Sequence, residues 1–255
     1  MKVSVLASGS KGNCCYVESN NGNFLIDLGP TSLYIEKQLK TIDKTGKDIK
    51  GIFITHTHAD HVNGLQVFIK KYNPIIYLTE KMYDELSTVL NIPNYELIDK
   101  ELNFNSLNIN IIKTSHDTDD SVGYVFEEDE HSFVYITDTG YINMKHHKKL
   151  LNKNVYVLES NHDVEMLMNN PNYPYHIKQR ILGDRGHLSN EDSAYYLTQF
   201  MGNNTKTIIL AHLSEQNNTR DKALETMNRV FKEYDKYCNS LLIAEQKERT
   251  ELIEV

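Results

Sequence analysis

The chain has 255 residues, of which 40% are hydrophobic, and its formal net charge is −8. A chain of this length can bury about 70–75% of its unfolded surface as one domain, so we expect a single domain over residues 1–255. The negative charge argues against a protein that coats nucleic acid by bulk attraction. The sequence contains no internal repeat and no apolar stretch long enough to span a membrane.

The amino terminus predicts two strands joined by the loop Ser8–Asn13. It lacks the apolar stretch of about 7–15 residues that an export signal requires, so we expect a cytoplasmic protein. The loop glycines would let backbone N–H groups approach a phosphate, but the same glycines suit any tight turn. Both interpretations stay open, and on the first of them Lys11 and Asn13 are candidate substrate contacts.

The segment Thr55–His61, THTHADH, follows the apolar run Gly51–Ile54 and carries the strongest chemical signal in the chain. It contains three histidines and an aspartate within six positions: His56, His58, Asp60 and His61. Imidazole and carboxylate are the ligands of zinc and its neighbours, and a loop leaving a strand can turn alternate side chains toward two centres. Histidines also cluster on surfaces, but this density at the end of a buried strand favours a dinuclear metal site.

Further along the chain, short apolar runs each end at a polar group. Such runs are typical of buried strands, and layered α/β folds bind ligands at the carboxyl ends of their strands. The predicted strands and the groups that follow them are Phe24–Ile26 with Asp27, Ile109–Ile112 with His116, Phe133–Ile136 with Asp138, Val155–Leu158 with Glu159, and Ile208–Ala211 with His212.

In order and spacing, these residues resemble the motifs of the metallo-β-lactamase superfamily over nearly the whole chain. The resemblance implies an αββα sandwich of the α/β class, with two mixed β-sheets flanked by helices. It also implies two divalent metal ions, for which zinc is expected and manganese or iron would also suit the ligands. One metal would take His56, His58, His116 and Asp138, and the other would take Asp60, His61, His212 and the same Asp138. Asp27 would orient the ligands by hydrogen bonds.

Details within the motifs favour phosphodiester hydrolysis. Asp138 stands where the antibiotic-hydrolysing members use a cysteine. The segments Gly186–Ala194 and Ala211–Ser214 are similar to paired segments of RNase Z, and Leu158–Asn161 is similar to a segment of the nuclease branches. The resemblance implies that His187 donates a proton or stabilises the phosphate, that Glu159 orients His187, and that Asp60 also serves catalysis. Alternatively, His187 is only the residue before a helix capped by Ser189.

Four longer segments resemble a compact branch of the superfamily: Leu6–Ser19, Leu158–Leu167, Tyr173–Ala194 and Leu210–Thr219. This resemblance implies a metal-dependent 5′ to 3′ DNA exonuclease with a role in mismatch repair, acting through a hydroxide that both metals activate. Positions 139–211 leave no room for a β-CASP domain, and no protruding arm for transfer RNA is present. The alternatives are hydrolysis of a small cyclic phosphodiester or thioester, and a non-catalytic metal-binding regulator.

Three basic residues just before His187 are candidate contacts for a DNA strand: Lys178, Arg180 and Arg185. The basic run Lys145–Lys149 is interpreted as a solvated helix face, and the acidic residues that follow His116 (Asp117, Asp119 and Asp120) as a solvated turn. His162 and Asp163 are left without a role. Cys14, Cys15 and Cys238 lack the spacing of a metal site, so we expect small core residues that stay reduced.

Overall fold

The computed structural model describes residues 1–255 and contains two seven-stranded β-sheets with helices outside them. The first sheet has the order β14-β1-β2-β3-β4-β5-β6. Strands β3 to β6 run parallel, whereas β14, β1 and β2 are antiparallel to their neighbours. The strands are β1 (Lys2–Ala7), β2 (Cys14–Ser19), β3 (Gly22–Ile26), β4 (Ile49–Phe53), β5 (Ile75–Leu78), β6 (Tyr95–Leu97) and β14 (Ile253–Glu254).

The second sheet has the order β13-β12-β11-β10-β9-β8-β7 and is mixed in the same way. Strands β10 to β13 are parallel, and β7 to β9 are antiparallel. The two mixed sheets confirm the αββα architecture that the sequence predicts. The strands are β7 (Glu101–Phe104), β8 (Leu107–Lys113), β9 (Val122–Glu128), β10 (His131–Ile136), β11 (Val155–Glu159), β12 (Thr207–Ala211) and β13 (Ser240–Ile243).

The helices follow the parallel strands and cover the outer faces of the sheets. None of them is both long and apolar enough to cross a lipid bilayer. They are α1 (Ser32–Lys40), α2 (Ala59–Val62), α3 (Leu65–Tyr72), α4 (Glu80–Ser87), α5 (His147–Leu150), α6 (Val164–Asn169), α7 (Tyr175–Leu182), α8 (Asn190–Phe200) and α9 (Arg220–Glu233), with short 3-10 helices at Gly46–Asp48 and Met144–His146.

Aromatic side chains join the two sheets in the main core. Phe53 of β4 stacks on Tyr77 of β5 with ring centroids 4.5 Å apart, and it meets Phe126 of β9 edge-on at 5.3 Å. The hydroxyl of Tyr124, also on β9, donates to the carbonyl of Ile54. Because Ile54 directly precedes the THTHADH segment, this contact between sheets anchors the start of that loop.

A smaller core lies between the outer face of the second sheet and helices α8 and α9. Helix α8 starts at a real cap, because the Ser189 hydroxyl accepts the N–H of Asp192 at 3.1 Å. The predicted cap is therefore present, and His187 lies two residues before it. The parallel strands end at one edge of the sandwich, where the polar groups that follow them gather.

Candidate metal centre

The first ligand cluster consists of His56, His58 and His116. His56 and His58 leave β4 in the THTHADH segment, and His116 leaves β8. The Nε2 atom of His56 lies 3.2 Å from Nδ1 of His58. At zinc–nitrogen distances of about 2.0–2.1 Å, tetrahedral ligands stand about 3.3 Å apart, so this separation fits one shared ion.

The second ligand cluster consists of Asp60, His61, Asp138 and His212. The Nε2 atom of His61 lies 3.5 Å from Asp60 Oδ2 and 3.2 Å from Asp138 Oδ2. The Nε2 atom of His212 lies 3.7 Å from Asp60 Oδ2. Both His212 Nε2 and Asp138 Oδ2 are buried without a hydrogen bond, and a divalent cation would satisfy both atoms.

Asp138 lies between the two clusters. Its Oδ2 atom faces His61, and its Oδ1 atom lies 3.9 Å from His116 Nε2 in the first cluster. One carboxylate therefore reaches ligands of both groups, as a residue shared by two ions must.

Hydrogen bonds to the other ring nitrogen orient four of the histidines. His61 Nδ1 lies 2.8 Å from Asp27 Oδ2, and His212 Nδ1 lies 2.9 Å from Glu159 Oε1. His56 Nδ1 lies 3.1 Å from the Thr55 hydroxyl, and His116 Nδ1 donates to the Gly186 carbonyl. Protons on these nitrogens leave each Nε2 unprotonated, as metal coordination requires; the His61 Nε2 atom also lies 3.0 Å from the Asn13 amide nitrogen. Asp27 thus contacts the His61 ring and the Thr55 backbone N–H, and its role in orienting metal ligands stays a prediction.

The carboxylates create a strongly negative field at the site. Burial would lower the pKa of His212, but Asp138, Asp60 and Glu159 raise it to about 10. Burial acts in the same way on His61, yet Asp138 and Asp27 hold the pKa of His61 well above its ordinary value. A field that holds protons on two buried imidazoles also favours divalent cations in their place.

Three of the site residues have the left-handed backbone conformation that non-glycine residues seldom adopt: Asp27 (φ 61°), Asp138 (φ 55°) and His212 (φ 56°). Each follows the end of a strand by one or two positions. Such conformations cost on the order of 1–3 kcal/mol each and persist where the surroundings enforce them. Around His212, the hydroxyl of Ser8 accepts its N–H at 2.7 Å and the amide of Asn161 donates to its carbonyl at 2.9 Å.

Glu159 and His187 form a second unit beside the ligands. His187 Nδ1 lies 2.7 Å from Glu159 Oε1, and Glu159 Oε2 accepts the backbone N–H groups of Thr139 and Leu188. Burial opposes ionisation of Glu159, but His187 and His212 lower its pKa to about 2. Burial likewise opposes protonation of His187, but Glu159 raises its pKa. Each member of the pair therefore favours the charged form of the other.

These groups line an open cleft with a volume of about 290 Å³. Helix α7 forms one wall and contributes Ile177 and, one helical turn later, Arg180 and Ile181. The remaining lining residues are Ser10, His58, Asp60, His116, Asp117, Asp138, Arg185, Gly186, His187 and His212.

Lys178, Arg180 and Arg185 are predicted to contact the substrate. Of these three, Arg180 and Arg185 line the cleft. Arg180 pairs with Asp117, and Arg185 donates to the carbonyls of His116 and Thr118. Lys178 contradicts the prediction, because it is buried and its ammonium donates to the Met168 carbonyl at 2.6 Å. On helix α7 it lies on a different face from Arg180.

The two predicted contacts in the Ser8–Asn13 loop also have other partners. Asn13 is fully buried, and its amide lies 3.2 Å from Asp60 Oδ2, so the structure contradicts its assignment to substrate and makes it a support for a ligand. Lys11 is exposed, and its ammonium pairs with Glu215 at 2.5 Å. Its contact with substrate stays a prediction.

Other sequence interpretations can be placed as well. The Lys145–Lys149 run is largely exposed and contributes nothing to the cleft lining. All three cysteines are free, and Cys14 and Cys15 are buried. Asp117 is not a solvated turn residue, because it lies in the cleft wall. No local pattern marked it, although its position next to His116 could have drawn attention to it.

Comparison with known proteins agrees with this geometry. Residues 22–213 match the family model described as the β-lactamase superfamily domain. The chain belongs to the metallo-β-lactamase superfamily. It is 37% identical over 233 residues to exodeoxyribonuclease WalJ of Streptococcus pneumoniae serotype 2 (strain D39 / NCTC 7466), covering 89% of this chain and 86% of WalJ. It is also 36% identical over 238 residues to exodeoxyribonuclease YycJ of Bacillus anthracis, covering 91% and 90%.

A solved structure supports the fold independently. The metallo-β-lactamase fold protein YhfI from Bacillus subtilis superposes with a TM-score of 0.72 at 16% identity and covers 98% of both chains. The family and the two exonuclease relatives confirm the superfamily and the compact branch that the sequence motifs indicate. This protein is a hydrolase of the metallo-β-lactamase fold.

Proposed function

We propose that the protein is a DNA exonuclease that depends on two divalent metal ions, with zinc as the expected metal and 5′ to 3′ as the expected direction. The observation that carries the proposal is the pair of ligand clusters that share Asp138, with His187 held beside them by Glu159. Two relatives that are named exodeoxyribonucleases match this chain over most of their length, which favours DNA as the substrate.

The proposed ligands are His56, His58, His116 and Asp138 for one ion, and Asp60, His61, His212 and the same Asp138 for the other. Bound divalent ions of this kind lower the pKa of a water molecule and neutralise charge on a phosphate group. The protein's own part is to hold these side chains in place through Asp27, Thr55 and Glu159.

His187 is the proposed proton donor. Its Nδ1 atom is engaged by Glu159, so Nε2 is the nitrogen left for the substrate. Glu159 raises the pKa of His187, which favours the protonated ring, and this proton can pass to the oxygen that departs from phosphorus. Glu159 then balances the charge of the ring and fixes its orientation.

The chain as a whole is acidic, but two arginines line the cleft and can bind a DNA backbone locally. Arg180 and Arg185 stand on the side of the cleft formed by α7 and the loop after it. The Arg180 side chain is 63% exposed, and its Nη1 group, which does not contact Asp117, can donate to a phosphate while Nε and Nη2 keep Asp117 in place. We propose Arg180 as the main contact for the DNA backbone.

The test uses duplex and single-stranded DNA labelled at either end, incubated with the purified protein and added zinc or manganese. The proposal expects short products from the 5′ label first, and none in the presence of excess chelator. Absence of turnover above background on every DNA would refute the nuclease assignment. Products that appear first from the 3′ label would refute only the direction.

The cleft volume favours one competing substrate. A space of about 290 Å³ lies at the lower limit of small-molecule sites, so a cyclic phosphodiester would also fit. Steady-state kinetics separates the two cases. Turnover of the small ester at about 10⁴ M⁻¹s⁻¹ or faster, without cleavage of DNA, would favour this alternative.

We further propose that residues 1–255 form one domain and that the protein acts in the cytoplasm in DNA mismatch repair. The main core contains residues from strands at both ends of the chain, and β14 pairs with β1, which supports the first statement. The cytoplasmic location and the role in mismatch repair rest on the sequence alone.

A further inference from the structure

Asp117 occupies an unusual place beside the first ligand cluster. Its Oδ1 atom is buried without a hydrogen bond that meets normal criteria, yet it lies 3.5 Å from His58 Nε2 and 3.3 Å from His116 Nε2. Arg180 engages the other oxygen of Asp117, so this carboxylate fits a neighbour that supports the ligands of the first cluster.

His58 is the candidate ligand whose second ring nitrogen has no hydrogen-bond partner other than Asp117. Its Nδ1 atom faces His56 Nε2 at 3.2 Å, which makes Nδ1 the metal-facing nitrogen and leaves Nε2 outside. The other four ligand histidines each have a partner for their second nitrogen among Asp27, Thr55, Glu159 and Gly186. The side chain of His58 is also 37% exposed, so packing alone does not hold it.

Arg180 holds Asp117 in position from helix α7. Its Nε and terminal nitrogen both donate to Asp117 Oδ2, which directs Oδ1 toward the two rings. His116 Nδ1 already donates to Gly186, so its Nε2 carries no proton for Asp117 to accept. The Nε2–H of His58 is the donor that remains.

We propose that Asp117 is a positioning residue of the first metal site, which accepts the Nε2–H of His58 while Arg180 anchors its other oxygen. A carboxylate in this relation fixes the tautomer of a ligand imidazole and raises its basicity. The inference rests on the proposed two-metal function, and it assigns a defined role to the arginine–aspartate pair at the cleft wall.

Titration calorimetry of the metal-free protein with zinc tests the assignment, using the wild type, Asp117→Ala and Asp117→Asn. Asp117→Ala should weaken one of two binding steps by about 10–100-fold and leave the other unchanged. Asp117→Asn should have a smaller effect, because the amide oxygen still accepts a hydrogen bond. Asp119→Asn is the matched control, since Asp119 is an exposed aspartate in the same loop and the change removes the same charge.

The outcomes separate this proposal from the function on which it rests. A wild type that binds no zinc refutes the two-metal function together with the role of Asp117. Two unchanged binding steps in Asp117→Ala refute the role of Asp117 alone. Equal weakening of both steps, with a lower unfolding temperature of the metal-free variant, also refutes it, because that result indicates a general contribution to folding.

Discussion

Glu159 Oε1 lies 2.9 Å from His212 Nδ1, so the carboxylate that holds the proposed proton donor also holds a metal ligand. The same oxygen lies 2.7 Å from His187 Nδ1. One buried atom thus connects the metal centre to the residue that would complete the reaction. From the sequence, Glu159 was expected to orient His187 alone.

Replacement of Glu159 by glutamine should therefore affect both metal binding and the rate. An amide has one oxygen acceptor and is neutral, so it cannot serve two imidazoles and two backbone N–H groups as the carboxylate does. We expect the affinity for one metal to fall by about 10–100-fold, together with the single-turnover rate. Metal content and rate are measured on the same preparation, and full metal retention would show that the contact with His212 is unimportant.

The His187→Ala variant should keep both metals and lose about 10²–10⁴-fold in rate, the usual scale for a positioned acid or base. His187 lies outside the two proposed ligand sets, so the metal affinities should not change. Single-turnover cleavage under saturating metal measures the loss. His176→Ala is the control, because His176 is an exposed histidine on the adjacent helix α7. Wild-type activity in His187→Ala would contradict the role of the ring as proton donor.

Asp138→Ala should lose metal as well as activity. Asp138 is the only proposed ligand of both ions: its Oδ2 lies 3.2 Å from His61 Nε2, and its Oδ1 lies 3.9 Å from His116 Nε2 and 3.3 Å from His212 Nδ1. Elemental analysis after removal of unbound metal should show less than the wild-type content, and catalysis should be undetectable. The exposed Asp84 of α4 provides the control Asp84→Ala. A fully loaded Asp138→Ala protein would mean that the clusters bind their ions independently of the shared carboxylate.

Removal of Arg180 should weaken substrate binding more than it slows the chemical step. With saturating metal, Arg180→Ala is expected to raise KM for DNA with a smaller change in kcat, because a phosphate contact is present before and during the reaction. The slope of log affinity against log salt concentration should fall by about 1. Arg229→Ala on helix α9 removes an exposed, ion-paired arginine and should leave both quantities unchanged. An unchanged KM and salt slope in Arg180→Ala would exclude this contact.

The candidate ligands could be proposed from the sequence because the position of a strand end is a local property of the chain. A short buried strand fixes the position of the residue that follows it at the edge of the sheet. The type of that residue indicates which chemistry it can perform. His56, Asp138 and His212 were assigned on this basis, and the structure brings all three to one edge of the sandwich. The fold class followed from the same motifs.

Other features depend on how segments far apart in the chain pack together, so no local pattern could show them. Arg180 and Asp117 are 63 positions apart, and their contact exists only because α7 lies over the loop after β8. Burial removed Lys178 and Asn13 from the substrate surface, although both are polar residues in suitable segments. The sequence by itself predicted the candidate ligands and the strands that precede them, and it determined the fold class and the family. The tertiary structure decided which residue forms a hydrogen bond with the second ring nitrogen of each candidate ligand. Such partners are set by distance in space and not by separation along the chain.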